Sequence, residues 1–177
     1  LGFDTCRYNG QTIPTPIVEK LKDHVDFITV CPEVEIGLGV PRDPIRIVLD
    51  NEQPRLIQPA TGRDVTVEMS QFVTSFLQST DKVDGFILKN RSPSCGIFDV
   101  KLYRGYDKSA SSIRGNGFFG DAVLNLYSGY PVDDEGRLNN FTIREHFLTK
   151  LFTFARYRQV KTGHKMGALV DFHTRHK

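Results

Sequence analysis

A chain of 177 residues, 39% apolar and 25% charged, is long enough for one full hydrophobic core with a small appendage. No stretch reaches the about 18 apolar residues of a membrane span, and Leu1-Gly2-Phe3-Asp4 lacks the basic-then-apolar pattern of a secretory signal. Three cysteines, few and odd in number, argue against a secreted disulfide framework and for a cytoplasmic setting. The net charge of +2 is unevenly spread: residues 1–136 hold 14 Lys and Arg against 19 Asp and Glu, residues 137–177 hold 9 against 2. A basic end on an acidic body suits a nucleic-acid contact or a solvated helix face.

In chain order, Thr15-Pro16 is a cap followed by a proline and predicts a helix over 17–24. A strand is expected at 27–30, then a loop around Cys31. Residues 45–49 and 55–58 flank Asp50-Asn51-Glu52-Gln53-Pro54 and read as a hairpin or a pair of edge strands. Between 64 and 79, Met69, Phe72, Val73, Phe76 and Leu77 recur at helical spacing. A strand at 83–88 leads into a second loop around Cys95, and 100–103 is a further short strand. Phe118, Ala122, Val123 and Leu126 mark a helix ending near Gly129, and Phe147, Leu148, Leu151, Phe152 and Ala155 mark a last one. Strands alternating with helices predict an α/β, Rossmann-like fold, with a largely parallel sheet flanked by helices and a C-terminal helical extension. Ligands of such sheets gather beyond the carboxyl ends of strands, where both cysteine loops would lie.

The loops are Val30-Cys31-Pro32-Glu33-Val34-Glu35-Ile36-Gly37 and Lys89-Asn90-Arg91-Ser92-Pro93-Ser94-Cys95-Gly96. Two thiols 64 residues apart, with Cys6, do not make a zinc knuckle, which favours close pairs of ligands. Three scattered thiolates suit an iron–sulfur cluster with one iron free of protein ligands; the competing reading is three unrelated core cysteines. Glu33 is the candidate general base and Glu35 a candidate substrate contact. The alternative is two surface acids, or one paired with Arg42 or Arg46. Ser92 and Ser94 are candidates to hydrogen-bond a substrate heteroatom, or to serve the turn at Pro93. Lys89 directs a cation to the same edge, for catalysis or to neutralise the cluster or a neighbouring acid.

Gly115-Asn116-Gly117-Phe118-Phe119-Gly120 matches GxGxxG, but 110–114 makes a poor strand and no acid follows at 138–142. A Gly-rich helix entrance, with some capacity for an anion, explains it better. His173 and His176 read as an exposed basic face rather than a metal pair, and His146 and His164 have no evident partner.

At Cys31-Pro32-Glu33-Val34-Glu35-Ile36-Gly37-Leu38-Gly39-Val40-Pro41-Arg42, and again in the Cys95 loop, the chain resembles the thiouracil desulfidase family. Arg7-Tyr8-Asn9-Gly10, Arg55-Leu56 and Thr61-Gly62-Arg63-Asp64-Val65-Thr66 match that family in order. The resemblance implies a [4Fe-4S] cluster on three cysteines, with Cys31 and Cys95 as ligands. It implies that the open iron takes a thiocarbonyl sulfur while water, activated by Glu33, attacks carbon, and that Ser92 or Ser94 contacts the pyrimidine. The family's first cysteine stands ten residues before the glycine of the Arg-Tyr-Asn-Gly motif, a position just ahead of Leu1. With no initiating Met and no helix stop at the far end, both ends are expected to be cut, so the third ligand precedes Leu1 or Cys6 replaces it. Phe154-Ala155-Arg156-Tyr157 and the tail from Leu169 resemble the opening of a helical second domain. The expected division is 1–147 for the desulfidase-like domain and 148–177 for the start of the second. The fused form is similar to enzymes that remove sulfur from 4-thiouridine in transfer RNA. Desulfidation of a free thiopyrimidine and a non-catalytic metal-binding or sulfur-sensing role stand as the alternatives.

Overall fold

Short turns set the antiparallel pairs of this chain, and two long crossovers set its parallel ones. The computed structural model describes residues 1–80, 82–107, 109–163 and 165–175. The helices and strands run α1 (Pro16–Leu21), α2 (Pro32–Glu35), β1 (Arg46–Asp50), β2 (Gln53–Gln58), β3 (Arg63–Asp64), α3 (Thr66–Ser79), β4 (Phe86–Leu88), β5 (Val100–Tyr103) and β6 (Ser112–Gly115). They continue with α4 (Phe118–Leu126), β7 (Val132–Asp134), a 3₁₀ turn at Arg137–Asn139, α5 (Phe141–Gly163) and α6 (Met166–Arg175).

β1 and β2 form a hairpin because Asn51 and Glu52 both take positive φ, 49° and 63°. That is type I′ geometry, whose twist matches an antiparallel pair. The register runs from Asp50 opposite Gln53 to Arg46 opposite Ile57. β3 extends the hairpin on one side and β5 pairs with β1 on the other, giving a five-stranded sheet in the order β3-β2-β1-β5-β6. Only β1 and β5 are parallel within it. β4 and β7 form a separate parallel pair. The expectation of a largely parallel, Rossmann-like sheet is therefore corrected: the fold is mixed α/β, and its main sheet is mostly antiparallel. The cause is connectivity, since a two-residue turn returns β2 beside β1 and the chain after β5 doubles straight back as β6.

Two local readings also change. Residues 27–30 carry no ladder pairing among the described residues; Phe27 turns inward against the Phe3 ring at 4.9 Å, while Ile28 is 61% exposed. Conversely, the weak strand former at 110–114 does pair, as β6, because β5 offers it a free edge. Strand propensity yields to the partner available.

The main core lies between α3 and the large sheet. Met69, Val73 and Leu77 repeat every four residues along α3 and meet Ile45, Ile47, Leu56 and Val65 below and Phe119 and Val123 of α4 beside them. Each such side chain stabilises by roughly 1.5–3 kcal/mol on burial. A smaller cluster of Ile17, Leu21, Leu138 and Phe147 joins α1 to the first turns of α5. Further along, Arg158 donates two hydrogen bonds to Asp84, 2.9 and 2.6 Å, and fastens α5 to the loop before β4. α5 runs through residues 147 and 148 without a break.

The Arg55 and 61–66 motifs serve this architecture. Asp64 accepts the Thr66 N–H at 2.9 Å, the Thr66 hydroxyl accepts the Leu56 N–H at 2.8 Å, and Arg55 donates to Asp64 at 2.9 and 2.5 Å. Burial opposes the Asp64 charge, but the Thr66 hydrogen bonds and the Arg55 guanidinium outweigh it and hold the carboxyl below its usual range. Its stabilising effect is thus present at neutral pH and lost as pH falls through that lowered value. Asp64→Asn is expected to cost about 1–2 kcal/mol at neutral pH, the deficit closing below about pH 4. Urea midpoints across a pH series check this.

Candidate active site

Cys31 is the residue just before α2, in extended conformation at φ −121°, and Pro32 opens the helix behind it. The four-residue helix places Glu33 two residues beyond the thiol. After it, Gly37 and Gly39, at φ 78° and 71°, reverse the chain so that Arg42 returns to Glu33. The left-handed region is open to glycine without steric cost.

Cys95 is positioned by a different device. Its loop lies across the N-terminus of α4. The four N–H groups of Gly117, Phe118, Phe119 and Gly120 donate to the carbonyls of Gly96, Pro93, Ser94 and Ser94 in turn, at 2.8, 3.2, 2.8 and 3.1 Å. A side chain at Gly117 would meet the Ser94 carbonyl at 2.5 Å, and one at Gly120 would collide with the Gly96 and Cys95 carbonyls. The GxGxxG pattern is a seat for the cysteine loop; its helix N-terminus is filled by main-chain oxygens.

The two loops and the N-terminal segment converge. The Cys31 Sγ approaches the Cys6 carbonyl oxygen at 3.8 Å. Burial, then the neighbouring Cys6 and Glu33, push the Cys31 thiol up to about 11, against a hydrogen bond from the Val34 N–H. Burial first, then Glu33, Cys31 and Cys6, drive the Cys95 thiol higher still, opposed by the Ser92 hydroxyl. All three cysteines are free and half-buried. Residues 31 and 95 thus lie in a partly buried pocket beside the Glu33 carboxylate, where loss of a thiol proton is disfavoured. Such a pocket favours a positively charged, sulfur-binding occupant. Among the described residues no group of three His, Cys, Asp or Glu could hold a single metal ion.

Glu33 is paired with Arg42, as the competing reading of this acid has it. Arg42 Nε and Nη2 donate to its Oε2 at 2.9 and 2.5 Å. The other oxygen, Oε1, accepts the Ser94 hydroxyl at 2.8 Å and that of Ser92 at 3.4 Å. Ser92 also accepts the N–H groups of Ser94 and Cys95, 3.2 and 3.1 Å, which is the turn role expected around Pro93. Glu35 is exposed on the outer face of α2. Lys89 binds Glu135 and the Asn90 side chain, so its cation neutralises a neighbouring acid. His146 lines a separate cavity with Asp133, Arg137 and Lys150. His173 lies on α6, whereas His164 and His176 lie outside the described residues.

Sequence reasoning names Arg42 only as a possible ion-pair partner and does not see its second attachment, to the Cys6 carbonyl at 3.0 Å. It also misses a cavity of about 390 Å³ beside the Cys95 loop, lined by Arg46, Arg91, Lys101 and Arg114 with Asp99. These four cations are scattered over 69 positions, and no local pattern announces them.

A family model described as 2-thiouracil desulfurase matches residues 1–135. The uncharacterized protein YbbK of Bacillus subtilis is 33% identical over 147 residues, which is 79% of this chain and 94% of that protein. Among solved structures, the [4Fe-4S]-dependent thiouracil desulfidase TudS is similar with a TM-score of 0.56 and 27% identity, over 81% of this chain and 91% of that one.

Gly120→Ala is expected to push the Cys95 loop off α4 and to destabilise the fold by about 1–3 kcal/mol. Thermal unfolding measures the loss, and faster alkylation of Cys95 reports the displaced loop.

Proposed function

Because the chain belongs to the 2-thiouracil desulfurase family, we propose that it is a [4Fe-4S]-dependent desulfidase that removes sulfur from thiolated uracil, with 4-thiouridine in transfer RNA as substrate. The family supports an enzyme that acts on a carbon–sulfur bond and takes a thiolated pyrimidine. The observation that supports the reading is the contact between the segments that carry the cysteines: the Cys31 Sγ lies 3.8 Å from the Cys6 carbonyl, and Glu33, two residues after Cys31, accepts the Ser94 and Ser92 hydroxyls of the Cys95 loop at 2.8 and 3.4 Å.

The donor set fits such a cluster. It is made of sulfur and is partly screened from water, as an iron–sulfur centre requires. Cys31 and Cys95 would hold the cluster, with Cys6 as the candidate third ligand in this chain. When bound, it supplies a Lewis-acid iron with affinity for sulfur.

The chain's own residues do the rest. Glu33 Oε1, the edge not taken by Arg42, accepts a proton from the attacking water. The Ser94 and Ser92 hydroxyls, already directed at Oε1, exchange that bond for one to a ring heteroatom when the pyrimidine enters, which frees a lone pair on the carboxylate. Glu35 is exposed on α2, and a contact from it to the substrate belongs to the same proposal. Lys89 serves by holding Glu135, which in turn accepts the Asn90 N–H at 2.8 Å and steadies the start of the second loop. The reaction exchanges sulfur for oxygen at carbon, releases hydrosulfide and needs no net electron transfer.

The choice of transfer RNA over a free base rests on the cationic cavity beside the Cys95 loop and on the basic residues of α5. Phosphates bind such clusters of Lys and Arg with a steep salt dependence. The division into 1–147 and 148–177 and a cytoplasmic setting belong to the same reading. No helix among the described residues is long and apolar enough to cross a membrane.

The test is anaerobic reconstitution with iron and sulfide, followed by loss of the thiocarbonyl chromophore from 4-thiouridine in transfer RNA and from free thiouracil. Glu33→Gln is expected to keep its iron and lose about 10²-fold or more in rate, while Cys31→Ser and Cys95→Ser lose iron. An iron-loaded protein that consumes neither substrate defeats the proposal. Replacing Lys101 and Arg114 together by Ala is expected to raise KM for transfer RNA, reduce the salt slope by about 1–2 and leave turnover of the free base unchanged. Steady-state kinetics at several salt concentrations measure it.

A further inference from the structure

We propose that Arg42 is a positioning residue that locks Glu33 and the N-terminal segment into one unit, so that the carboxylate presents only its Oε1 edge to the thiol pocket. The inference rests on the reading of Glu33 as proton acceptor and goes beyond it to what aims that acceptor.

Four of the guanidinium's hydrogen-bonding positions are engaged. Nε and Nη2 hold Glu33 Oε2 at 2.9 and 2.5 Å, and Nη1 donates to the Cys6 and Gly39 carbonyls, both at 3.0 Å. The Arg42 main-chain N–H donates to the Tyr8 carbonyl at 2.8 Å. The side chain is only 4% exposed. Residues 6 and 8, the turn at 39 and the carboxylate at 33 thus meet on one residue. The Cys6 carbonyl that Arg42 grips is the oxygen approached by the Cys31 sulfur, so the same group sets the distance between two of the three thiol-bearing segments.

A simple counter-charge would not need this geometry. If Arg42 only neutralised Glu33, an ammonium would do as well. A planar fork is required to hold one carboxylate oxygen from two nitrogens while a third reaches a carbonyl in another direction. With Oε2 fixed, the carboxylate cannot rotate, and Oε1 keeps its heading toward Ser92 and Ser94. Misplacing a reacting group by about an ångström can cost about 10²-fold in rate.

The test compares wild type with Arg42→Lys and Arg42→Ala in the iron-loaded protein by steady-state kinetics, and follows limited trypsin cleavage after the exposed Arg7 by mass spectrometry. Arg42→Lys is expected to keep its iron, to lose about 10- to 100-fold in kcat with KM within about two-fold, and to be cut after Arg7 about tenfold faster. Millimolar guanidinium is expected to restore part of kcat in Arg42→Ala. Wild-type kcat together with wild-type cleavage in Arg42→Lys overturns the proposal. So does a fall in kcat confined to a loss of folded or iron-loaded protein. If Arg42→Lys does not fold, Arg42→Gln, planar and uncharged, is put to the same two measurements. Should wild type prove inactive on every thiopyrimidine, the desulfidase reading fails by itself. The rate of Arg7 cleavage still decides whether Arg42 ties down the N-terminal segment.

Discussion

The pairing of Glu33 with Arg42 is the constraint on which the pocket depends. The partners are 14% and 4% exposed, so neither charge can fall back on water. Leaving one of them alone at such a site costs about 3–5 kcal/mol, and the chain therefore keeps them together. Because Arg42 is also bonded to the carbonyls of residues 6 and 39, that electrostatic demand organises far more than one carboxylate. It folds the turn after α2 back on itself and pins the first residues of the chain against Cys31. The energy that keeps two opposite charges together is used to shape a site whose other named groups are thiols and hydroxyls.

The rest of the pocket follows a complementary logic. Where the first loop is held by charge, the second is held by main chain. The carbonyls of residues 93, 94 and 96 occupy the N-terminus of α4, so the helix gives up its capacity for an external anion and gains a rigid platform. Glycines at 117 and 120 allow contact that any side chain would prevent. The serines connect the halves: they belong to the second loop and donate to the carboxylate of the first.

Much of this is legible in the sequence, and the parts that are not share a cause. The residues around Cys31 and Cys95 carry their chemistry locally, in a thiol, an acid and two hydroxyls within a few positions, so the candidate site can be named before its geometry is known. Helix α3 is legible because Met69, Val73 and Leu77 record one buried face in their spacing. Sheet order is not, since the same alternation of strands and helices is written by parallel and antiparallel connections. The turn at Asn51-Glu52 was the clue that β1 would be answered by a neighbour running the other way. Strand β6 was hidden for a related reason: its residues have weak preferences and the pairing comes from β5. Arg42 shows the limit most clearly. Its link to Glu33 spans nine residues and can be guessed, but its link to Cys6 spans 36 and depends on how the whole amino end is laid down.

The seating of the second loop on α4 also dictates an order of events at the ribosome. All three thiols have been synthesised by residue 95, yet the surface that gives the last of them its place is not complete until Gly120 has been added. A nascent chain halted between those points carries the three thiols and no finished seat for the last of them. A group that binds the Cys95 thiol in its finished setting must therefore meet a chain extended at least to Gly120.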